Sequence, residues 1–141
     1  MYVATQLENV YRHFLNSIED YEWLLVSDEV IEDLLLDLIE KATVDFDICR
    51  KSLTIDYMNM SFYEQLDMDE IVILSKAMIL NYLDPKILRE ENLKQAVTSK
   101  DFSKLSNANM LDKLILLKKN TREEFDTYMS KYDYKMFEGL N

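Results

Sequence analysis

The chain has 141 residues, 48% of them apolar, with 27 acidic side chains against 16 basic ones and a formal net charge of −11. That length suits one domain that buries roughly two-thirds of its unfolded surface, and so high an apolar share excludes disorder. One Gly, one Pro and one Cys exclude Gly-rich phosphate loops, a hairpin-rich sheet, an intrachain disulfide and a Cys-based metal site, and point to an all-α fold.

In chain order, Thr5 and Glu8 have the spacing of a capping box, which starts a first helix. Leu7, Val10, Tyr11, Phe14, Leu15 and Ile18 then recur on one face. The helix is expected to end near 19–21, before the apolar connector Trp23-Leu24-Leu25. Trp23 reads as a core anchor, with an exposed aromatic for a partner as the alternative. Ser27 is the next N-cap, and Asp28 and Glu29 lie where a helix N-terminus favours negative charge. Ile31, Leu34, Leu35, Leu38, Ile39, Ala42 and Phe46 carry the stripe to about residue 48. The opposite, acidic face holds Glu32, Asp33, Asp37 and Glu40. It lacks a Glu-x-x-His partner and faces away from the apolar stripe, so it reads as solvated surface and not as a metal site.

From Cys49 to Gln65 the periodicity weakens. The alternation over 53–58 allows a short extended segment which, for want of a second convincing strand, would be an arm or pair with another chain. Phe62 and Leu66 are expected beneath the helix that follows. That helix, 67–84, is apolar on nearly every face, with Lys76 its only interior base, so other helices must cover it. Asp67 and Glu70 form its capping box, and Pro85 biases Asp84 away from helical angles and ends it.

Asp84 and Pro85 then start a fourth helix that buries Ile87, Leu88, Leu93, Ala96 and Val97 and ends near Thr98. The loop from Thr98 to Ser106 carries Phe102 and Leu105, which either pin it to its own domain or insert into a neighbour. Asn107 caps a long last helix to about Tyr132, packed over its first half and projecting, or meeting another subunit, over its second. An apolar, extended tail follows over 133–141, with Tyr134, Met136, Phe137 and Leu140. The expected architecture is thus one domain over 1–141, with about five helices around a buried central one.

Catalytic constellations are missing from the pattern. The lone histidine, His13, falls among core positions of the first helix, and neither it nor Cys49 carries a nucleophile signature. Gly139, the only glycine, cannot supply a Walker or dinucleotide motif. No cofactor is implied, and neither a membrane span nor a signal peptide is visible. Nine tyrosines and six phenylalanines exceed what a modest helical core needs, which hints at interfaces. Charge is divided along the chain: residues 1–84 carry 18 acidic and 5 basic side chains, residues 85–141 carry 9 and 11. The first part would repel phosphates and disfavours nucleic-acid binding, while one copy's acidic part could meet the next copy's mildly basic part.

Several stretches together resemble small acidic proteins of tailed bacteriophages. The order Leu66-Asp-Met-Asp-Glu-Ile-Val-Ile-Leu-Ser-Lys-Ala-Met-Ile-Leu-Asn-Tyr-Leu is similar to a helix that in those proteins follows an amphipathic one ending "Ala, three residues, Phe". Here that ending is Ala42-Thr-Val-Asp-Phe46. Lys100-Asp-Phe-Ser-Lys-Leu-Ser-Asn-Ala-Asn109 and Met129-Ser-Lys-Tyr-Asp-Tyr134 look similar too. The family is that of head–tail connector (adaptor, or neck) proteins. The resemblance implies a virion protein assembled in the host cytoplasm, without enzymatic activity. It would form a ring of commonly about twelve copies between portal and tail or neck proteins, through which DNA passes without sequence-specific binding. Phe102, Leu105, Tyr134, Met136, Phe137 and Leu140 are the expected interface residues, and Glu32, Asp33, Asp37 and Glu40 an acidic face. The alternative is a small acidic regulator that mimics nucleic acid and inhibits a protein partner.

Overall fold

The structure is a computed structural model that describes residues 3–18, 27–96 and 110–138, the side chains of 93–96 and 136–138 excepted. Helices α1 (Leu7–Ser17) and α2 (Asp28–Asp45) precede a two-stranded hairpin, β1 (Ile55–Asp56) and β2 (Ser61–Phe62). Helices α3 (Met68–Ala96) and α4 (Met110–Glu138) follow. The fold is all-α apart from that hairpin, with four helices among the described residues. The substantial helix–helix contacts all involve α3, which packs on α1, α2 and α4. Its residues Ile73, Leu74, Ala77, Met78 and Leu83 meet Leu7, Val10 and Phe14 of α1, Leu38, Ile39 and Ala42 of α2, and Phe125 of α4 in one core.

Two of the expected caps form. The Ser27 hydroxyl accepts the Val30 amide at 3.4 Å. At α3 the Asp67 amide donates to Glu70 Oε1 at 2.9 Å, and the Glu70 amide to Asp67 Oδ1 at 3.0 Å. The Thr5–Glu8 box does not form, because tertiary partners claim Thr5 first. Its hydroxyl accepts the Leu66 amide at 2.8 Å, and its backbone pairs with Glu64 and Phe62. Gln6 takes the N-cap position without a side-chain bond, and the Leu7 amide goes to the Met60 carbonyl at 3.0 Å. The hairpin therefore caps α1.

That hairpin corrects the expected arm over 53–58. The partner strand lies in the same chain, with Ile55 opposite Phe62 and Asp56 opposite Ser61, and Gln6 adds a bridge to Ser61. No glycine is needed for the turn. Asp56 Oδ1 accepts the amides of Met58 and Asn59, and Oδ2 accepts the Asn59 side chain at 2.7 Å. Such Asx bonding imitates a backbone turn. Among the described residues Met60 carries the one positive φ of a non-glycine residue, 50°, and its carbonyl accepts the Leu7 amide.

Pro85 does not end α3, which continues through it to Ala96; the helices expected over 67–84 and 85–98 are one. Proline within a helix costs about 3 kcal/mol. Leu83 and Ile87 on either side are both buried, and each such side chain contributes about 1.5–3 kcal/mol. Pro85 itself faces solvent, so the carbonyl deprived of its partner lies toward water. Burial wins. The last helix departs from expectation in two ways. Its second half packs as well as its first, through Phe125 and Tyr132, and the tail taken as extended over 133–141 is helical through Glu138. Trp23, Phe102, Leu105, Asn107 and Leu140 lie outside the described residues, as do the side chains of Leu93, Ala96, Met136 and Phe137.

Candidate functional site

The polar groups that converge most closely lie where the N-terminus of α3 meets the C-terminal part of α4. Glu70 is 0% exposed. Its Oε1 accepts Lys51 Nζ at 2.8 Å in addition to the Asp67 amide. Its Oε2 accepts the Tyr132 hydroxyl at 2.7 Å and the Cys49 thiol at 3.5 Å. The Tyr132 oxygen in turn accepts the Arg50 amide at 2.9 Å and Arg50 Nε at 3.2 Å. Above the ring lies the Arg50 guanidinium, 4.6 Å from the centroid, and Phe46 meets it edge-on at 5.0 Å.

Burial alone would push the Glu70 carboxyl up. Lys51, the Asp67 amide and Tyr132 together outweigh it and hold the carboxyl below its usual range. Tyr132 is pushed up to about 12, first by burial, with the Arg50 bonds opposing. Burial also raises the Cys49 thiol, which leaves little of the reactive thiolate near neutral pH. One hydroxyl has one proton to give and two lone pairs to fill; at Tyr132 all three are used. The cluster is a clamp that joins α3, α4 and the segment after α2, and its buried groups, the Glu70 carboxylate and the Tyr132 hydroxyl, have their bonding capacity filled within it.

His13 lies half-buried on α1, where its carbonyl accepts the Ser17 hydroxyl at 2.9 Å. The Cys49 thiol donates to Glu70 at 3.5 Å and sits 3.8 Å from the Tyr132 oxygen. Among the described residues no group of three or more His, Cys, Asp or Glu side chains could hold a metal ion, and no helix is long and apolar enough to cross a membrane. A hollow of about 510 Å³ between α1 and α2 is lined by Leu7, Tyr11, Arg12, Leu15, Ile31 and Leu35, among others. The buried Tyr11 hydroxyl has no partner among the described residues, and burial, then Glu32 and Glu40, push it up to about 12.

The acidic face is where the helical period puts it, with Glu32, Asp33, Asp37 and Glu40 all exposed. Asp37 pairs with Lys41 at 2.9 Å, and Glu40 accepts the Tyr57 hydroxyl at 3.0 Å. Of the expected interface residues, Tyr134 is 65% exposed. Pattern reading missed other outward apolar residues. Met58 at the hairpin tip is 95% exposed and Val44 75%, while Val30, Leu34, Ile115 and Leu116 are exposed on α2 and α4. It also missed the clamp. The one available signal was Arg50-Lys51, two adjacent bases in a part of the chain with only five. Comparisons with known protein families, characterised proteins and solved structures return no match.

Proposed function

We propose that this chain is a structural subunit, without enzymatic activity, of a head–tail connector ring in the neck of a tailed bacteriophage. In this reading copies of the chain, about twelve by the family resemblance, stand between the portal and the tail or neck proteins and extend the DNA channel. DNA passes without sequence-specific contact, and assembly takes place in the host cytoplasm. The buried first part of α3, 67–84, is the scaffold that holds the outer helices apart.

The observation that carries this reading is the contrast between interior and surface. The buried polar groups of the clamp are filled within it, whereas the outward faces of α2, α4 and the hairpin present apolar side chains beside charges. Exposed apolar residues scattered singly are ordinary, but neighbours on one helix face, such as Val30 and Leu34 one turn apart on α2, support a contact surface. Glu32 and Glu40 of α2 suit a channel wall, since carboxylates repel phosphates. The four exposed carboxylates Glu32, Asp33, Asp37 and Glu40 together favour the second reading, an acidic regulator in a partner's nucleic-acid cleft. The two readings separate by assembly state. Sedimentation and negative-stain microscopy of the full chain, alone and with portal-bearing capsids, should reveal rings. A stable monomer or dimer under both conditions overturns the connector reading.

A further inference from the structure

The outer faces of α2 and α4 are built alike with opposite sign. On α2, Val30 and Leu34 are exposed, and Asp33 and Asp37 flank them within two turns. Over its whole length α2 carries seven acidic side chains against one lysine. On the N-terminal half of α4, Ile115 and Leu116 are exposed between Lys113 and Lys119, which are exposed too. From Met110 to Arg122 this helix has four bases against one acid. At 1.5 Å per residue each stripe is roughly 10 Å long. The buried side chains of these helices, Leu35, Leu38, Ile39 and Ala42 on α2 and Leu111, Phe125 and Tyr132 on α4, are other residues. The substantial contacts of α2 and α4 are with α3 and not with each other, so within one molecule the stripes do not meet.

We propose that the α2 stripe of one copy docks on the α4 stripe of a second copy of this chain, with Val30 and Leu34 against Ile115 and Leu116 and the acids beside the lysines. A second copy is the occupant because the complementary charge and the matching apolar pair are both on this chain. Two different patches meeting head to tail form a heterologous contact, which closes into a ring when the rotation permits. The inference rests on the connector reading and names its subunit interface. The Asp37–Lys41 pair at 2.9 Å does not prevent it, since an exposed ion pair holds its partners weakly.

The test is charge reversal in the full chain, followed by sedimentation velocity at low and high salt. One variant carries Asp33→Lys with Asp37→Lys, the other Lys113→Glu with Lys119→Glu. All four positions are exposed, and circular dichroism checks that each variant folds. Each variant alone should associate about tenfold or more weakly than the natural chain, and salt should weaken the natural contact. An equimolar mixture should assemble again, because each variant then meets a face of opposite sign on the other. If the natural chain assembles and the variants assemble equally well, the pairing is wrong while the connector reading stands. Failure of the mixture to recover also rejects the pairing. A natural chain that stays monomeric with and without portal-bearing capsids rejects both.

Discussion

Two ion pairs of nearly equal length show how differently this molecule uses charge. Lys51 and Glu70 stand 2.8 Å apart with the carboxylate fully buried; Lys41 and Asp37 stand 2.9 Å apart with both side chains more than half exposed. Distance alone would rank them equal. Environment separates them, because the same Coulomb attraction is several times stronger away from bulk water, and so is the penalty for losing a partner. The buried pair also shares its carboxylate with Tyr132 and Cys49, so it fixes how α4 lies on α3. The exposed pair fixes nothing in the fold and leaves its helix face open to a partner. One chain thus holds both kinds of pair, a buried one that joins separate elements and an exposed one confined to a single helix.

Substitutions at either kind of site test that contrast, and the most damaging lies in the core. Ala77 and Met78 are 0% exposed in the core of α3. A change of Met78→Asp puts an unpaired charge there and should unfold the domain, as read by loss of helical circular dichroism; a near-normal melting curve would mean that α3 is not structurally essential. Glu70→Ala comes next. It strands the Tyr132 hydroxyl and the Asp67 amide and takes the carboxylate from Lys51, which keeps the Gln65 carbonyl, and should cost about 3 kcal/mol in urea unfolding. Lys51 keeps some contact with water, its side chain being 34% exposed, so Glu70→Ala leaves a lysine that can be hydrated, whereas Lys51→Ala leaves a fully buried carboxylate without its cation and should cost about as much. A clearly larger loss for Glu70→Ala would show that the hydrogen bonds from Tyr132 and the Asp67 amide outweigh the ion pair.

Tyr132→Phe keeps the ring against Phe46 and removes only the hydroxyl. The loss should be about 1–2 kcal/mol, with faster hydrogen exchange at the Arg50 amide. The clamp also sets the pH range of stability. Because the folded state holds the Glu70 carboxyl below its ordinary value, its contribution is present above the unfolded value of about 4.3 and fades as pH falls through the folded one. Tyr132 works in the opposite sense. Raised to about 12 in the folded state, it contributes fully below an unfolded value of about 10 and loses that contribution as pH rises toward 12. Glu70→Gln should flatten the acid limb of the stability profile, and Tyr132→Phe the alkaline limb. Unchanged limbs would mean that other groups govern both ends.

Much of the fold was legible because it is local. The periodicity of Leu7, Val10 and Phe14, the Ser27 cap and the Asp67–Glu70 box all depend on residues within two turns of each other. What escaped was decided by distant groups. Thr5 has the right spacing to cap α1, yet Leu66, 61 positions away, takes its hydroxyl. Pro85 carries a strong local stop signal, overruled by the burial of Leu83 and Ile87. The hairpin lacked the expected glycine, because Asp56 bonds and a left-handed Met60 do the turning. At Glu70 the cap was visible, while the bond to Tyr132, 62 residues on, leaves no periodic trace. The acidic face of α2 was readable from spacing alone. Its counterpart on α4 was less so, since the first half of that helix is expected to pack and Ile115 and Leu116 within it are exposed.

The smallest expected effect separates the two ion pairs most cleanly. Asp37→Ala removes the exposed pair with Lys41, and its effect on unfolding should stay within about 0.5 kcal/mol, because both groups are already hydrated. High salt should erase even that difference, the screening length at 1 M being about 3 Å. If the outward charge of α2 serves association, this substitution weakens self-association more than it changes folding. A loss of 2 kcal/mol or more in the unfolding of the isolated chain would instead make the outer face of α2 part of the fold, and the division between inner and outer charge would fail at that helix.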